Sequence, residues 1–169
     1  MQNIFLIGPM GSGKTTIGRQ LAIRLNKQFY DADREIEKKT GVDIALIFEI
    51  EGEEGFRRRE VKIIEEFARK DNIILATGGG AVIYAQNRAF LKKHGHIVYL
   101  ESSPEKLFER TSKNNKRPLL NTEDRMATIK ELLEKRSPLY EEIADLIICT
   151  NNSPIKQIVN KISQQLNMT

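Results

Sequence analysis

The sequence predicts an α/β fold in which helices cover both faces of a five-stranded parallel sheet. Five short apolar runs alternate along the chain with stretches of helical periodicity. Strands buried on both faces form such continuous apolar runs, whereas half-exposed strands alternate. The chain has 169 residues, enough for one sizeable core, so we expect a single domain over 1–169. In such folds ligands bind at the carboxyl ends of the strands.

Local signals set the limits of the elements. The first strand stops at Gly8 and the third at the glycines 78–80, and helical periodicity resumes after each. Ser103-Pro104 is a typical helix start. The predicted strands are 3–7, 28–31, 72–76, 97–100 and 146–149. The predicted helices are 15–25, 33–39, 43–49, 53–70, 85–93, 104–111, 125–144 and 154–166.

Two features interrupt this alternation. The irregular segment 112–124 is long for a loop in a compact domain, and we expect it to form a mobile lid. Pro138 falls inside the helix predicted over 125–144, where proline removes a backbone hydrogen bond. It therefore predicts a break or kink near Ser137.

Composition restricts the class of partner. Lys and Arg total 27 against 23 Asp and Glu, a net charge of +4, which favours small anions over nucleic acid. No apolar run approaches the length of a membrane span, and the N-terminus lacks the basic start of a secretory signal. We expect a cytoplasmic protein without nucleic-acid or membrane partners. Cys149 is expected to be a small buried residue, and His94 and His96 to have surface or structural roles.

The loop after the first strand carries the strongest chemical signal. Residues 8–15 read Gly-Pro-Met-Gly-Ser-Gly-Lys-Thr and match G-x-x-x-x-G-K-[ST], the phosphate-binding P-loop. Its glycines let backbone N–H groups face phosphate oxygens, and Lys14 adds a charge at the β- and γ-phosphates. The Thr15 hydroxyl suits Mg²⁺. A purely structural glycine turn is the alternative, and the dinucleotide pattern fails because residue 16 is Thr16.

An acid near the metal must come from outside the third strand, which ends in Ala-Thr-Gly. Asp31 and Asp33 lie at the end of the second strand. Along one extended segment they can point in different directions, so that one reaches the metal and the other an acceptor hydroxyl. Alternatively, Asp33 caps the helix that contains Ile36.

Several arginines and glycines are further candidates. One arginine of the run 57–59 can hold a carboxylate through paired hydrogen bonds, although such runs are usually solvated helix faces. The glycines 78–80 allow close approach of a ligand, or form a tight turn. Arg117 can reach the γ-phosphate when the lid closes, or be an ordinary loop arginine. Arg136 is a substrate ligand, a helix cap or a salt-bridge partner.

Taken together, these motifs resemble the shikimate kinases over almost the whole chain. The matching pieces are the P-loop at 8–15, Asp31-Ala-Asp33, Phe56-Arg57 with Glu60, Thr77-Gly-Gly-Gly80, Arg117-Pro-Leu-Leu120 and Arg136-Ser-Pro-Leu-Tyr140. The resemblance implies a three-layer P-loop kinase fold with strand order 2-3-1-4-5 and a substrate-binding segment near 33–60. It also implies ATP-dependent phosphorylation of the 3-hydroxyl of shikimate by a monomeric enzyme that uses Mg²⁺.

The same resemblance assigns roles residue by residue. Catalysis would depend on Asp33, Lys14 and Arg117. ATP would be held by Gly11, Ser12, Gly13, Lys14, Thr15, Thr16, Arg110 and Arg117, with Arg110 stacked on adenine. Shikimate would be held by Asp33, Arg57, Gly79, Gly80, Arg136, Phe48 and Phe56, although core packing also explains the two phenylalanines. Thr15 and Asp31 would serve Mg²⁺.

Three other interpretations remain open at this point. A gluconate-type kinase shares the P-loop, the size and a polyhydroxy carboxylate acceptor. A nucleotide kinase requires arginines for a second phosphorylated ligand, which Asp31 and Asp33 would repel. A P-loop protein that binds nucleotide without transferring phosphate has no need of a carboxylate at the position of Asp33.

Overall fold

A computed structural model describes residues 2–112, 120 and 123–167. Its centre is one five-stranded parallel sheet of order β2-β3-β1-β4-β5, which confirms the predicted fold class and strand order. Central strand β1 pairs with β3 and β4, so that Ile4 lies opposite Ile74 and His96. The strands are β1 (Asn3–Ile7), β2 (Gln28–Asp31), β3 (Ile73–Ala76), β4 (Gly95–Glu101) and β5 (Leu146–Cys149).

Helices cover both faces of the sheet, as the apolar strands require. The helices are α1 (Lys14–Leu25), α2 (Ala32–Thr40), α3 (Ile44–Ala68), α4 (Ala85–His94), α5 (Pro104–Thr111), α6 (Arg125–Ile143) and α7 (Ile155–Asn167). Side chains of α1 and α7 pack on one face, and those of α2, α3, α4 and α6 pack on the other. Within the described chain, no helix has the length and apolar character needed to cross a membrane.

Helix α3 joins the two helices predicted over 43–49 and 53–70. Gly52 interrupts it with φ 72° and ψ 179°, a backbone conformation essentially restricted to glycine. The two helical segments therefore meet at a kink rather than continue one another. This kink sets the angle between the segment that carries Phe48 and the segment that carries Phe56.

The structure corrects two predictions from the sequence. Helix α6 runs through Pro138, so the predicted break is absent, and the fully buried Tyr140 and Ile143 anchor the helix in the core after the proline. Cys149 is exposed, because β5 is an edge strand and of its four residues only Ile148 is fully buried. His94 keeps the structural role expected of it, since its ring stacks on Phe90.

Candidate active site

The conformation of the P-loop depends on its glycines and on hydrogen bonds from its own lysine. Gly11 and Gly13 adopt φ 85° and 96°, which side-chain-bearing residues rarely reach. Nζ of Lys14 donates to the carbonyls of Gly8 at 2.6 Å and Pro9 at 2.9 Å. The Ser12 hydroxyl is buried and has no hydrogen-bond partner among the described residues. The loop thus presents a positive charge, a buried hydroxyl and a helix N-terminus, which together suit a phosphate chain.

Asp31 joins the P-loop to the next βα connection. Its Oδ2 accepts a hydrogen bond from the Thr15 hydroxyl at 2.5 Å. Its Oδ1 accepts from the backbone N–H groups of Asp33 and Arg34, so Asp31 is the N-cap of α2. The carboxylate of Asp31 is therefore fixed beside a hydroxyl, and both supply the hard oxygen ligands that Mg²⁺ prefers.

Asp33 lies in the first turn of α2, not in an extended segment, and it is not the cap of that helix. The half-buried side chain of Asp33 points towards the glycines after β3. A methyl group placed on Gly78 would lie 3.1 Å from Oδ1 of Asp33 and 2.8 Å from Oε2 of Glu60. The two carboxylates thus meet beside Gly78, where only a residue without a side chain fits.

Arg57 is the one arginine of the run 57–59 that turns inwards. Its Nη1 donates to Glu60 at 2.9 Å, and its Nη2 donates to Glu53 at 3.2 Å. Burial opposes the charge of Arg57, but these two carboxylates outweigh it and raise the pKa of its guanidinium. Burial also raises the pKa of the Glu60 carboxyl, although the charges of Arg57 and Arg136 act in the opposite direction.

Arg136, on α6, lies close to the glycines after β3. Its side chain is buried, and Nη1 would lie 3.5 Å from a methyl group placed on Gly79. Four residues later on the helix, the Tyr140 hydroxyl donates to the Gly79 carbonyl. Burial raises the pKa of Tyr140, so this phenol stays protonated at neutral pH.

These residues line one cleft of about 980 Å³. At one end, the Phe48 and Phe56 rings pack with their centroids 4.9 Å apart and form an apolar wall beside the two arginines. Both phenylalanines also touch the main core, so the two roles expected of them coexist.

At the opposite end, Arg110 joins the P-loop to the segment after β5. Its guanidinium donates to the Gly11 carbonyl at 3.3 Å and to the Thr150 carbonyl at 2.8 Å. The remaining lining residues at this end are Thr150, Ser153, Ile155 and Ile158.

The structure brings together every candidate residue that it describes. Each of the predicted site residues except Arg117 lines the cleft. Arg117 and most of the predicted lid at 112–124 fall outside the described residues.

Residues that the sequence analysis did not place in the site also line the cleft, among them Glu60 and Thr150. Glu60 belongs to one of the matched motifs, so its position in that motif was an available signal. Thr150 follows a short strand, and no local pattern points to it.

A P-loop that shares one cleft with the carboxylate of Asp33 and two buried arginines is typical of a small-molecule kinase of the P-loop class. The family model described as shikimate kinase matches residues 10–167. The chain belongs to the shikimate kinase family.

Relatives agree over nearly their full length. A shikimate kinase from Nitrosococcus oceani is 57% identical over 164 residues, covering 97% of this chain and 86% of the relative. One from Francisella tularensis subsp. holarctica is 54% identical, covering 96% and 93%. The structure of shikimate kinase from Acinetobacter baumannii in complex with shikimate is 46% identical, covers 99% of this chain and 94% of that chain, and superposes with a TM-score of 0.97.

Proposed function

We propose that this protein transfers the γ-phosphoryl group of ATP to the 3-hydroxyl of shikimate, giving shikimate 3-phosphate and ADP on the route to chorismate and the aromatic amino acids. The observation that carries the proposal is the acceptor end of the cleft. There, Asp33 lies near Arg57 and Arg136. The Asp33 carboxylate suits a substrate hydroxyl, and the two arginines suit a substrate carboxylate.

The acceptor is a small ring with one carboxylate and neighbouring hydroxyls. In the proposal, Arg57 and Arg136 bind the carboxylate, and the backbone at Gly79 and Gly80 approaches the ring. Phe48 and Phe56 supply its apolar wall. Asp33 at this end of the cleft, with Asp31 two residues before it, disfavours a phosphorylated acceptor by charge repulsion, which argues against a nucleotide kinase.

The nucleotide lies in the remaining half of the cleft. Gly11, Ser12, Gly13, Lys14, Thr15 and Thr16 bind its phosphates, and Arg110 lies against adenine. Lys14 moves its charge from the loop carbonyls to the phosphates. Arg117 remains part of the proposal as a γ-phosphate ligand from the lid.

Thr15 and Asp31 are the proposed Mg²⁺ residues. Their adjacent oxygens fit the ion, and among the described residues no group of three or more acidic, histidine or cysteine side chains is arranged to hold a metal ion. Mg²⁺ bound with ATP neutralises charge on the phosphates. A site with so few protein ligands leaves the other positions to phosphate and water oxygens.

The transfer itself needs one base and a fixed geometry. Asp33 accepts the proton of the 3-hydroxyl while the oxygen of that hydroxyl bonds to the γ-phosphorus. The bond from the γ-phosphorus to the β,γ-bridging oxygen breaks, and ADP is released. The arginines hold the acceptor in line, which supplies most of the catalysis expected in phosphoryl transfer.

The test is ADP release by the purified protein from ATP and Mg²⁺, with shikimate, gluconate, AMP or no acceptor in parallel. We expect release with shikimate alone and its loss when Mg²⁺ is chelated. Release with gluconate or AMP instead would keep a P-loop kinase but contradict the acceptor. Silence in every reaction would favour a nucleotide-binding protein. The monomeric state and the cytoplasmic location stay predictions.

A further inference from the structure

We infer that Tyr140 is a positioning residue for the acceptor, because its hydroxyl holds the Gly79–Gly80 peptide in place between Arg57 and Arg136. The inference rests on the proposed function and adds to it a residue that supports the acceptor subsite from behind. Tyr140 does not line the cleft. It acts on the substrate only through Gly79 and Arg136.

The first observation is a long-range hydrogen bond. The Tyr140 hydroxyl on α6 donates to the carbonyl of Gly79, which is 61 residues distant in sequence. The side chain of Tyr140 is 0% exposed. A tyrosine hydroxyl is a donor throughout the neutral range, and burial raises the pKa of this phenol further. Without it, the Gly79 carbonyl would face the interior without a donor, a costly arrangement.

The second observation is the place of the peptide that this bond fixes. The Gly79 carbonyl and the Gly80 N–H belong to one planar unit, so fixing the carbonyl also fixes the direction of the N–H. A methyl group on Gly80 would collide with the Arg57 guanidinium, and one on Gly79 would lie 3.5 Å from Nη1 of Arg136. The peptide therefore passes between Arg57 and Arg136, the two arginines proposed to bind the substrate carboxylate.

The third observation links the phenol to one of these ligands. The Arg136 guanidinium lies close enough to the Tyr140 hydroxyl to lower its pKa by charge and by hydrogen bonding, against the larger effect of burial. The Tyr140 hydroxyl thus bonds to the backbone at Gly79 and lies within reach of the charge of Arg136. Its loss would release the Gly79 peptide and change the surroundings of Arg136, while the P-loop would keep its own contacts.

Tyr140→Phe is the direct test, and Tyr99→Phe is its matched control. Tyr99 is also buried and stacks on Tyr140 with ring centroids 4.9 Å apart, but the hydrogen bond to the Gly79 carbonyl belongs to Tyr140. For Tyr140→Phe we expect KM for shikimate to rise about tenfold, the effect of one lost hydrogen bond to a charged or buried partner. KM for ATP should stay unchanged, and kcat should change less than KM for shikimate.

A shikimate KM that stays the same, or that rises equally in Tyr99→Phe, would overturn the inference. Wild-type protein without shikimate-dependent ADP release would instead remove the proposed function. The two failures are therefore distinguishable, because the second appears before any variant is made.

A second measurement tests the inference on the wild-type protein, and so does not require the Tyr140→Phe variant to fold. The chain has 4 tyrosines, so tyrosine labelled with ¹³C at the ring carbon bearing oxygen gives four signals, assignable by single Phe variants of the other three. Adding shikimate to the wild-type protein should shift the Tyr140 signal more than those of Tyr30 and Tyr84, and ADP should not. A Tyr140 signal unmoved by saturating shikimate would overturn the inference.

Discussion

Asp33 and Asp31 are two carboxylates two residues apart whose surroundings give them different tasks. The carboxylate oxygens of Asp31 accept hydrogen bonds from the Thr15 hydroxyl and from the first backbone N–H groups of α2. Asp33 stands in the first helical turn and faces the glycines after β3. Asp33, which does not cap the helix, is the residue that we propose to meet the acceptor hydroxyl.

We predict that Asp33→Asn retains ATP binding but loses most turnover. An amide has nearly the shape of the carboxylate but cannot accept the hydroxyl proton, and loss of a general base costs about 10²–10⁴ in rate. The measurement is kcat together with the dissociation constant for ATP. Asp43→Asn is the control, because exposed Asp43 also borders the cleft but only caps α3, a role that Asn performs equally well. Turnover equal to that of the parent would remove Asp33 from the mechanism.

The buried phenol of Tyr140 predicts a specific pH dependence of stability. Its folded pKa is raised above the ordinary value of 10.0, so the unfolded chain loses this proton first as the pH rises. The contribution of Tyr140 is therefore complete below pH 10 and decreases above it, by about 1.4 kcal/mol per pH unit. Urea unfolding of wild type and Tyr140→Phe from pH 8 to 11 should show their difference in free energy shrinking only above pH 10. A constant difference would contradict the raised pKa.

At the scale of elements, the kink at Gly52 matters most. It separates the segment with Phe48 from the segment with Phe56 and Arg57, so the proposed apolar wall is assembled from two helical segments. A straight helix would carry residues eight positions apart more than two turns apart along its axis. The two rings instead pack in contact.

Gly52→Ala should lower the free energy of unfolding by about 1–3 kcal/mol, because alanine rarely adopts φ 72° with ψ 179°. KM for shikimate should also rise as the two rings separate. Gly41→Asn is the control, since Gly41 has φ 74° and ψ 7°, a left-handed conformation that asparagine tolerates. A side chain has open space at both positions. Equal stability losses in both variants, measured by urea unfolding, would contradict this explanation.

At the scale of the molecule, the two halves of the cleft are held by different elements. The proposed nucleotide half is lined by the P-loop and Arg110, whereas the proposed acceptor half is lined by residues of α2, α3 and α6 and by the glycines after β3. Ligands that bind only the folded state stabilise it. The two halves can therefore be probed separately through stability.

We predict that Arg136→Ala abolishes stabilisation by shikimate but keeps stabilisation by ADP. A ligand at one hundred times its dissociation constant contributes about 2.7 kcal/mol, which raises Tm by roughly 5–10 °C in a chain of this size. Thermal unfolding with each ligand measures both effects. Arg59→Ala, which removes a surface arginine paired with Glu51, should keep both shifts. A shikimate shift retained in Arg136→Ala would reduce Arg136 to a structural residue.

Features that depend on local chemistry follow from the order of residues alone. The P-loop follows from glycines beside a strand and a helix, and the apolar runs identify strands because each must be buried on both faces. The motif order then placed Asp33, Arg57 and Arg136 in one site, and each of them lines the cleft.

Tertiary packing determines which side chains are buried and which distant residues bond to each other, and no local pattern contains this information. Of three consecutive arginines, only Arg57 is buried, because helical rotation and the position of Glu60 bring one side chain inwards and leave its neighbours at the surface. The hydrogen bond from Tyr140 to Gly79 joins residues far apart in the chain, and the exposure of Cys149 follows from an edge position in the sheet. Each of these results depends on which elements become neighbours, and that is settled by burial across the whole core rather than by the residues next in sequence.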